Sequence, residues 1–159
     1  VFENAHFEQR QEGKLVWVAR AKKTDGDLVS ANAFDIHMKR EPQGPDQDTY
    51  DIVSPRAKLD FDNGKADFED VRITDAGGGL VTAGNAHYDE SVSRIDVDGP
   101  VTFSAQGLVA DATRGFIQLD TGVMNIVGPV QGRFNPGEAS PQSPPQKPPA
   151  LPAPAPRQP

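Results

Sequence analysis

Cysteine is absent from the 159 residues. Without thiols there can be no thiolate metal site, no disulfide and no cysteine nucleophile, and the redox compartment is left open. Long apolar runs are missing too, and none approaches the roughly 18 residues of a membrane span. Cations are few: 16 Lys and Arg stand against 23 Asp and Glu, a net charge of −7. With no stripe of Lys or Arg to neutralise phosphates, nucleic acid is not an expected partner. No stretch keeps a 3.6-residue apolar period, so little or no helix is expected. The chain opens on Val1 and not Met, so an upstream targeting or anchoring segment is expected to have been removed.

What is present is alternation. In Arg94–Ala105, Ile95, Val97, Val101 and Phe103 share one parity, while Asp96, Asp98, Pro100 and Thr102 take the other. Period-2 alternation marks a strand with one apolar and one wet face. Related text recurs at 66–76 and 124–134, and Val71, Val101 and Val130 fall 30 and 29 residues apart. A repeat of this length, each copy a strand, a turn and a second strand, is the first hypothesis about the fold.

Taken in order, residues 1–9 are a polar lead-in or edge element anchored by Phe2 and Phe7. Lys14–Lys23 reads as a strand and Asp25-Gly26 as a hairpin turn. Phe34, Ile36 and Met38 then share a face, and 41–49 is a polar loop. Leu59 and Phe61 precede the hairpin signal Asp62-Asn63-Gly64. Parity flips between Phe68 and Val71, which predicts a bulge near Glu69-Asp70. Later turns are expected at 90–93 and at Thr121-Gly122. Strands this closely spaced, without helical crossovers, connect as hairpins into two facing sheets. The domain is expected over 10–134. Residues 135–159 hold ten of the 15 prolines and are expected to form a Pro-rich disordered tail, a solvated spacer or terminus favouring PPII.

Catalytic chemistry finds no footing. His6, His37 and His87 have no metal-ligand neighbours at binding spacing, so no metal or cofactor is expected. The carboxylates Asp60, Asp62, Asp67, Glu69, Asp70, Asp96 and Asp98 sit at outward or turn positions and read as a solubilising face. The Gly-rich 76–84 precedes a strand and not a helix, against a phosphate loop. With no nucleophile-elbow motif either, the expectation is that the protein is not an enzyme. Trp17 reads equally well as a core plug or an edge anchor. Gly122, Gly128, Gly132 and Pro129 crowd the last strand, as in a twisted terminal edge.

The opening Gly13, Lys14 and Trp17, with 57–74, 86–104 and the terminal Gly-Pro-Val at 128–130, resembles the LptC family. More broadly it resembles the OstA-like β-jellyroll modules shared with LptA and the N-terminal part of LptD. The resemblance spans roughly residues 10–134 and implies an all-β jellyroll of stacked two-strand repeats with open edges. It implies a non-catalytic carrier of lipopolysaccharide acyl chains, periplasmic and anchored to the inner membrane by a helix outside this sequence. The implied groove is Trp17, Phe34, Ile36, Met38, Phe61, Phe68, Ile73, Ile95, Val97, Val101, Phe103, Phe116, Leu119 and Ile126. The implied docking edge is Leu15, Trp17, Met124, Ile126 and Val130. Through it, an LptA-like bridge protein and the permeases of the inner-membrane lipopolysaccharide transporter would join by strand addition. A soluble LptA-like bridge and a purely structural β-repeat domain without ligand are the alternatives.

Overall fold

Alternating strands joined by short Asp-, Asn-, Gly- and Ser-rich turns can pair only with their neighbours in sequence, and they do. The computed structural model describes residues 2–27 and 29–134. Its strands are β1 (Phe2–Gln11), β2 (Lys14–Gly26), β3 (Ser30–Arg40), β4 (Tyr50–Asp60), β5 (Lys65–Asp75), β6 (Leu80–Asp89), β7 (Arg94–Ala105), β8 (Leu108–Gln118), β9 (Val123–Val127) and β10 (Gln131–Phe134). One 3-10 turn, Glu90–Val92, is the only helix among the described residues. All pairs are antiparallel, and sheet order follows chain order as far as β8. β9 and β10 both pair with β8, on its second and first halves respectively.

Two turns differ from expectation. Strand β2 runs through Asp25-Gly26, which pair with Asn32 and Ala31, so the chain reverses after Gly26. Residues 61–64 form a longer turn in which only Gly64 has positive φ. Of the two readings of the opening residues, the edge element holds: residues 2–11 are a full strand, paired with β2 at one end of the sheet. The proline-rich tail, 135–159, lies outside the described residues.

Most long strands switch their inward parity once. Strand β3 buries Ala31 and Ala33, then Ile36 and Met38; β4 buries Ile52 and Ser54, then Ala57 and Leu59. Strand β5 buries Ala66 and Phe68, then Val71 and Ile73, so its parity flips at Asp70 as expected. The expected bulge is not there: β5 keeps register with β4 and β6, the positive φ of Asp70 turning the face without an extra residue, and the register shifts instead in β7 between Asp98 and Val101. The switch points Asp35, Pro55, Asp70 and Gly84 fall in one transverse line between paired residues. Backbone φ turns positive along it, at 53° for Asn4, 50° for Asp35, 49° for Asp70 and 79° for Gly99. Asn, Asp and Gly are the residues that tolerate this region. Pro55 supplies no N–H here, and the buried Ser54 hydroxyl sits 2.5 Å from Glu69 O while accepting from Arg56 N–H at 3.2 Å. In the last repeat the chain breaks outright at Gly128-Pro129, leaving β9 and β10 as two half-strands.

The seam folds the single sheet into two facing layers. The first holds residues 5–21, 36–40, 50–54, 71–75, 80–83, 101–105, 108–112 and β10. The second holds the other halves and β9. Their inward faces form one apolar cluster. Alanines flank the seam inside (Ala21, Ala33, Ala57, Ala83, Ala86), where the wedge is narrow, and Ile, Phe and Tyr fill it further out. Ring contact between Phe7 and Phe61, 5.0 Å between centroids, and the Arg40–Glu90 ion pair bring the layers together opposite the seam.

Candidate lipid mouth and sheet edges

Most of the expected groove is interior. Ile36, Met38, Phe68, Ile73, Ile95, Val97, Val101, Phe103 and Leu119 are buried, and Phe61 and Ile126 pack against them half-buried. Two expected residues face outward. Phe34 lies on the seam's other parity, half-buried, with the Lys23 ammonium 6.0 Å from its ring. It lines an outer-face hollow of about 480 Å³ with Arg56, Lys58 and Glu69. Phe116 faces outward beside the buried Ile117, with the Arg94 guanidinium 3.9 Å from its ring. Both are corrections, and both follow from the seam, which exchanges the inward and outward sets partway along a strand.

The interior opens at its C-terminal end. There Phe103 of β7 and Leu108 and Ala110 of β8 face Met124 and Ile126 of β9 across a cavity of about 360 Å³. The turn from Asp75 to Leu80 forms its rim, held by an Asp75 carboxylate that accepts from Gly79 N–H at 2.8 Å. Phe103 remains 7 % exposed, whereas Leu108 and Met124 rise to 51 % and 37 %. The lining thus runs from dry core to a half-wet apolar lip. Leu108 and Ala110 carry no signal in the sequence, and the Gly-rich 76–84 is read there only against a phosphate loop and not as a rim. Their apolar residues are too few to stand apart from an ordinary strand and turn.

The sheet is open at both ends. Among the described residues β1 pairs only with β2, and β9 and β10 only with β8. Leu15 and Trp17 do not form an edge: β2 lies between β1 and β3. Trp17 is buried, its indole N–H donating to Gln9 Oε1 at 2.6 Å, which settles it as a core plug. Met124 and Ile126 lie on the terminal strand β9, and Val130 is exposed in the link between β9 and β10. Strand β10 is pinned by Arg133, which donates to Asp111 at 2.9 Å; that contact, with a hydrogen bond from Thr102, holds the Asp111 carboxyl below its ordinary range.

Elsewhere polar groups are paired locally. His87 bridges Asp67 at 2.7 Å and Asp98 at 3.3 Å on the outer face. The hydrogen bond to Asp67 raises its pKa, against a smaller opposing effect of burial. Among the described residues no group of three or more His, Cys, Asp or Glu is placed to hold a metal ion, and no helix is long and apolar enough to cross a membrane.

Fold and mouth together define an unclosed β-jellyroll, a sheet folded on itself around an apolar interior that opens at one end. Among solved structures the chain is similar to LptH from Pseudomonas aeruginosa, described as the LptA-homologous periplasmic component of the conserved lipopolysaccharide transport device. The two share 8 % identity at a TM-score of 0.59, over 76 % of this chain and 95 % of that one. At that identity the likeness is one of fold. No protein-family model matches the sequence, and no curated protein matches it.

Proposed function

We propose that the protein is a non-catalytic transport module that holds acyl chains of lipopolysaccharide in the periplasm. The observation that carries this is the apolar mouth between Phe103, Leu108, Ala110, Met124 and Ile126, continuous with the core. Its volume of about 360 Å³ is at the small end of the roughly 300–1,000 Å³ typical of ligand sites. Each buried methylene yields ~0.8 kcal/mol, so about ten give roughly 8 kcal/mol before association costs of ~4–15 kcal/mol. The mouth alone therefore holds a chain weakly, which suits a relay better than a store.

Two placements are compatible with this chemistry. In one the module relays lipopolysaccharide from the inner-membrane transporter, tethered by an upstream helix, as in LptC. In the other it is a soluble bridge component of the LptA type, and the likeness in fold to LptH is compatible with both. In either, the unpaired rows of β1, β9 and β10 serve as strand-addition edges for an LptA-like partner or the transporter permeases. The first residues of the native protein separate the two: an uncleaved hydrophobic helix fits the first, a cleaved signal peptide the second.

The direct test is Phe103→Asp, which sets a carboxylate in the apolar lining. Acyl chains extracted from the purified variant and quantified by mass spectrometry should fall to background while circular dichroism stays that of a β protein. Unchanged lipid in a folded variant would contradict the proposal.

A further inference from the structure

A fully buried arginine is costly unless it is paired. Arg40, at the end of β3 in the first layer, is 1 % exposed. Its partner is Glu90, in the turn after β6 in the second layer, with a side chain 9 % exposed. Arg40 Nη2 and Nε donate to the two Glu90 carboxylate oxygens at 3.2 and 3.4 Å, and Nη1 donates to Gln47 Oε1 at 3.3 Å. The buried Tyr88 hydroxyl also donates to Glu90. The pair therefore joins the layers through a desolvated polar bridge on the side opposite the seam, where the sheet does not close itself.

The contrast along that side is informative. Near the N-terminal edge the layers meet through the Phe7 and Phe61 rings, an apolar contact that parts without stranding a polar group. At the C-terminal end they leave the mouth. Between the two stands the one buried ion pair that crosses from layer to layer among the described residues. An acyl chain sliding inward from the mouth cannot displace it cheaply. Parting Arg40 from Glu90 strands two charges in an apolar interior, at a cost larger than several methylenes return.

We propose that Arg40 and Glu90 form a polar stop that limits how far an acyl chain enters the interior, and so set the chain length the module accepts. This rests on the lipid-binding reading above. The stop belongs to the walls of the site and not to its apolar lining: it acts by keeping the layers closed ahead of the chain end. Tyr88 and Gln47 hold the pair in place by completing its hydrogen bonds. A chain short enough to fit in the mouth binds without disturbing the pair, and a longer one leaves its extra methylenes in water.

The experiment measures the affinity of the full chain for a series of free saturated fatty acids by competition against a fluorescent fatty acid. Affinity should rise with each methylene and then level off once the mouth is filled. In the double variant R40M/E90L, which replaces the pair by apolar side chains, the rise should continue at about fourfold per methylene past that length. E90Q, which keeps the size and removes the charge, is the second variant should R40M/E90L fail to fold, and should shift the plateau in the same direction. A folded variant with an unchanged plateau overturns the stop while leaving the mouth in place. Loss of all fatty-acid binding in the wild type overturns the lipid reading, and the stop with it.

Discussion

The ring of Phe103 in one layer rests over the backbone of Gly115 in the other. A Cβ on Gly115 would lie 3.1 Å from Phe103 Cζ and 2.5 Å from Asn125 O on β9. The glycine is thus what lets β7, β8 and β9 approach closely enough to form the mouth. Gly115→Ala should force β9 outward and cost about 1–3 kcal/mol, as overpacking does. Chemical denaturation reads the loss, and lipid content should fall with it. A variant as stable as the wild type would mean that β9 is not held where described.

The seam makes a separate prediction. Asp70 has φ 49°, a conformation that Asp tolerates and a β-branched residue does not. Asp70→Val should destabilise by roughly 1–3 kcal/mol although the site is exposed, whereas Asp70→Gly should be close to neutral. Equal midpoints for the two variants in urea would remove the backbone argument.

Parity on β8 is tested by neighbours in sequence. Ile117 is fully buried and Phe116 faces outward over Arg94. Truncation of Ile117 to Ala should cost about 2–5 kcal/mol. The larger Phe116 should cost only its cation–π contact and partial burial, about 1 kcal/mol. The reverse order of midpoints would place the seam wrongly.

His87 ties β5, β6 and β7 on the wet face through Asp67 and Asp98. Its pKa is raised in the folded state, so its pairing contributes fully below the unfolded value of 6.5 and is lost as pH rises through the higher folded value. The side chain is 50 % exposed, so solvent screens the pair to roughly 0.2–1 kcal/mol. Denaturation midpoints at about pH 5.5 and pH 8 should differ more in the wild type than in His87→Gln. Identical differences would show that the pair contributes nothing.

Much of this fold is legible in the sequence because period-2 alternation reports strand faces directly. Ile95, Val97, Val101 and Phe103 are inward as that alternation predicts, and the parity break at Asp70 marks the seam in one strand. The seam is not legible everywhere. At Asp35 and around Thr113 nothing in the residue types separates a fold line from ordinary alternation, so Phe34 and Phe116 are read onto the wrong face. Strand β1 is obscured for another reason: Phe-Glu-Asn-Ala-His-Phe-Glu-Gln-Arg-Gln is poor in β-branched residues and is held by pairing with β2. That hidden strand moves Leu15 and Trp17 from edge to interior. The Arg40–Glu90 pair, 50 residues apart in sequence, leaves no local signal at all.

The central claim is that lipid enters between the layers at the C-terminal mouth. Site-specific photo-crosslinking tests it most directly, with a photoreactive side chain placed in turn at Phe103, Met124, Phe34 and Phe116 and lipopolysaccharide as the target. Adducts at 103 and 124, with none at 34 and 116, are the predicted result. Equal labelling at all four positions, or labelling at 34 and 116 alone, would contradict it.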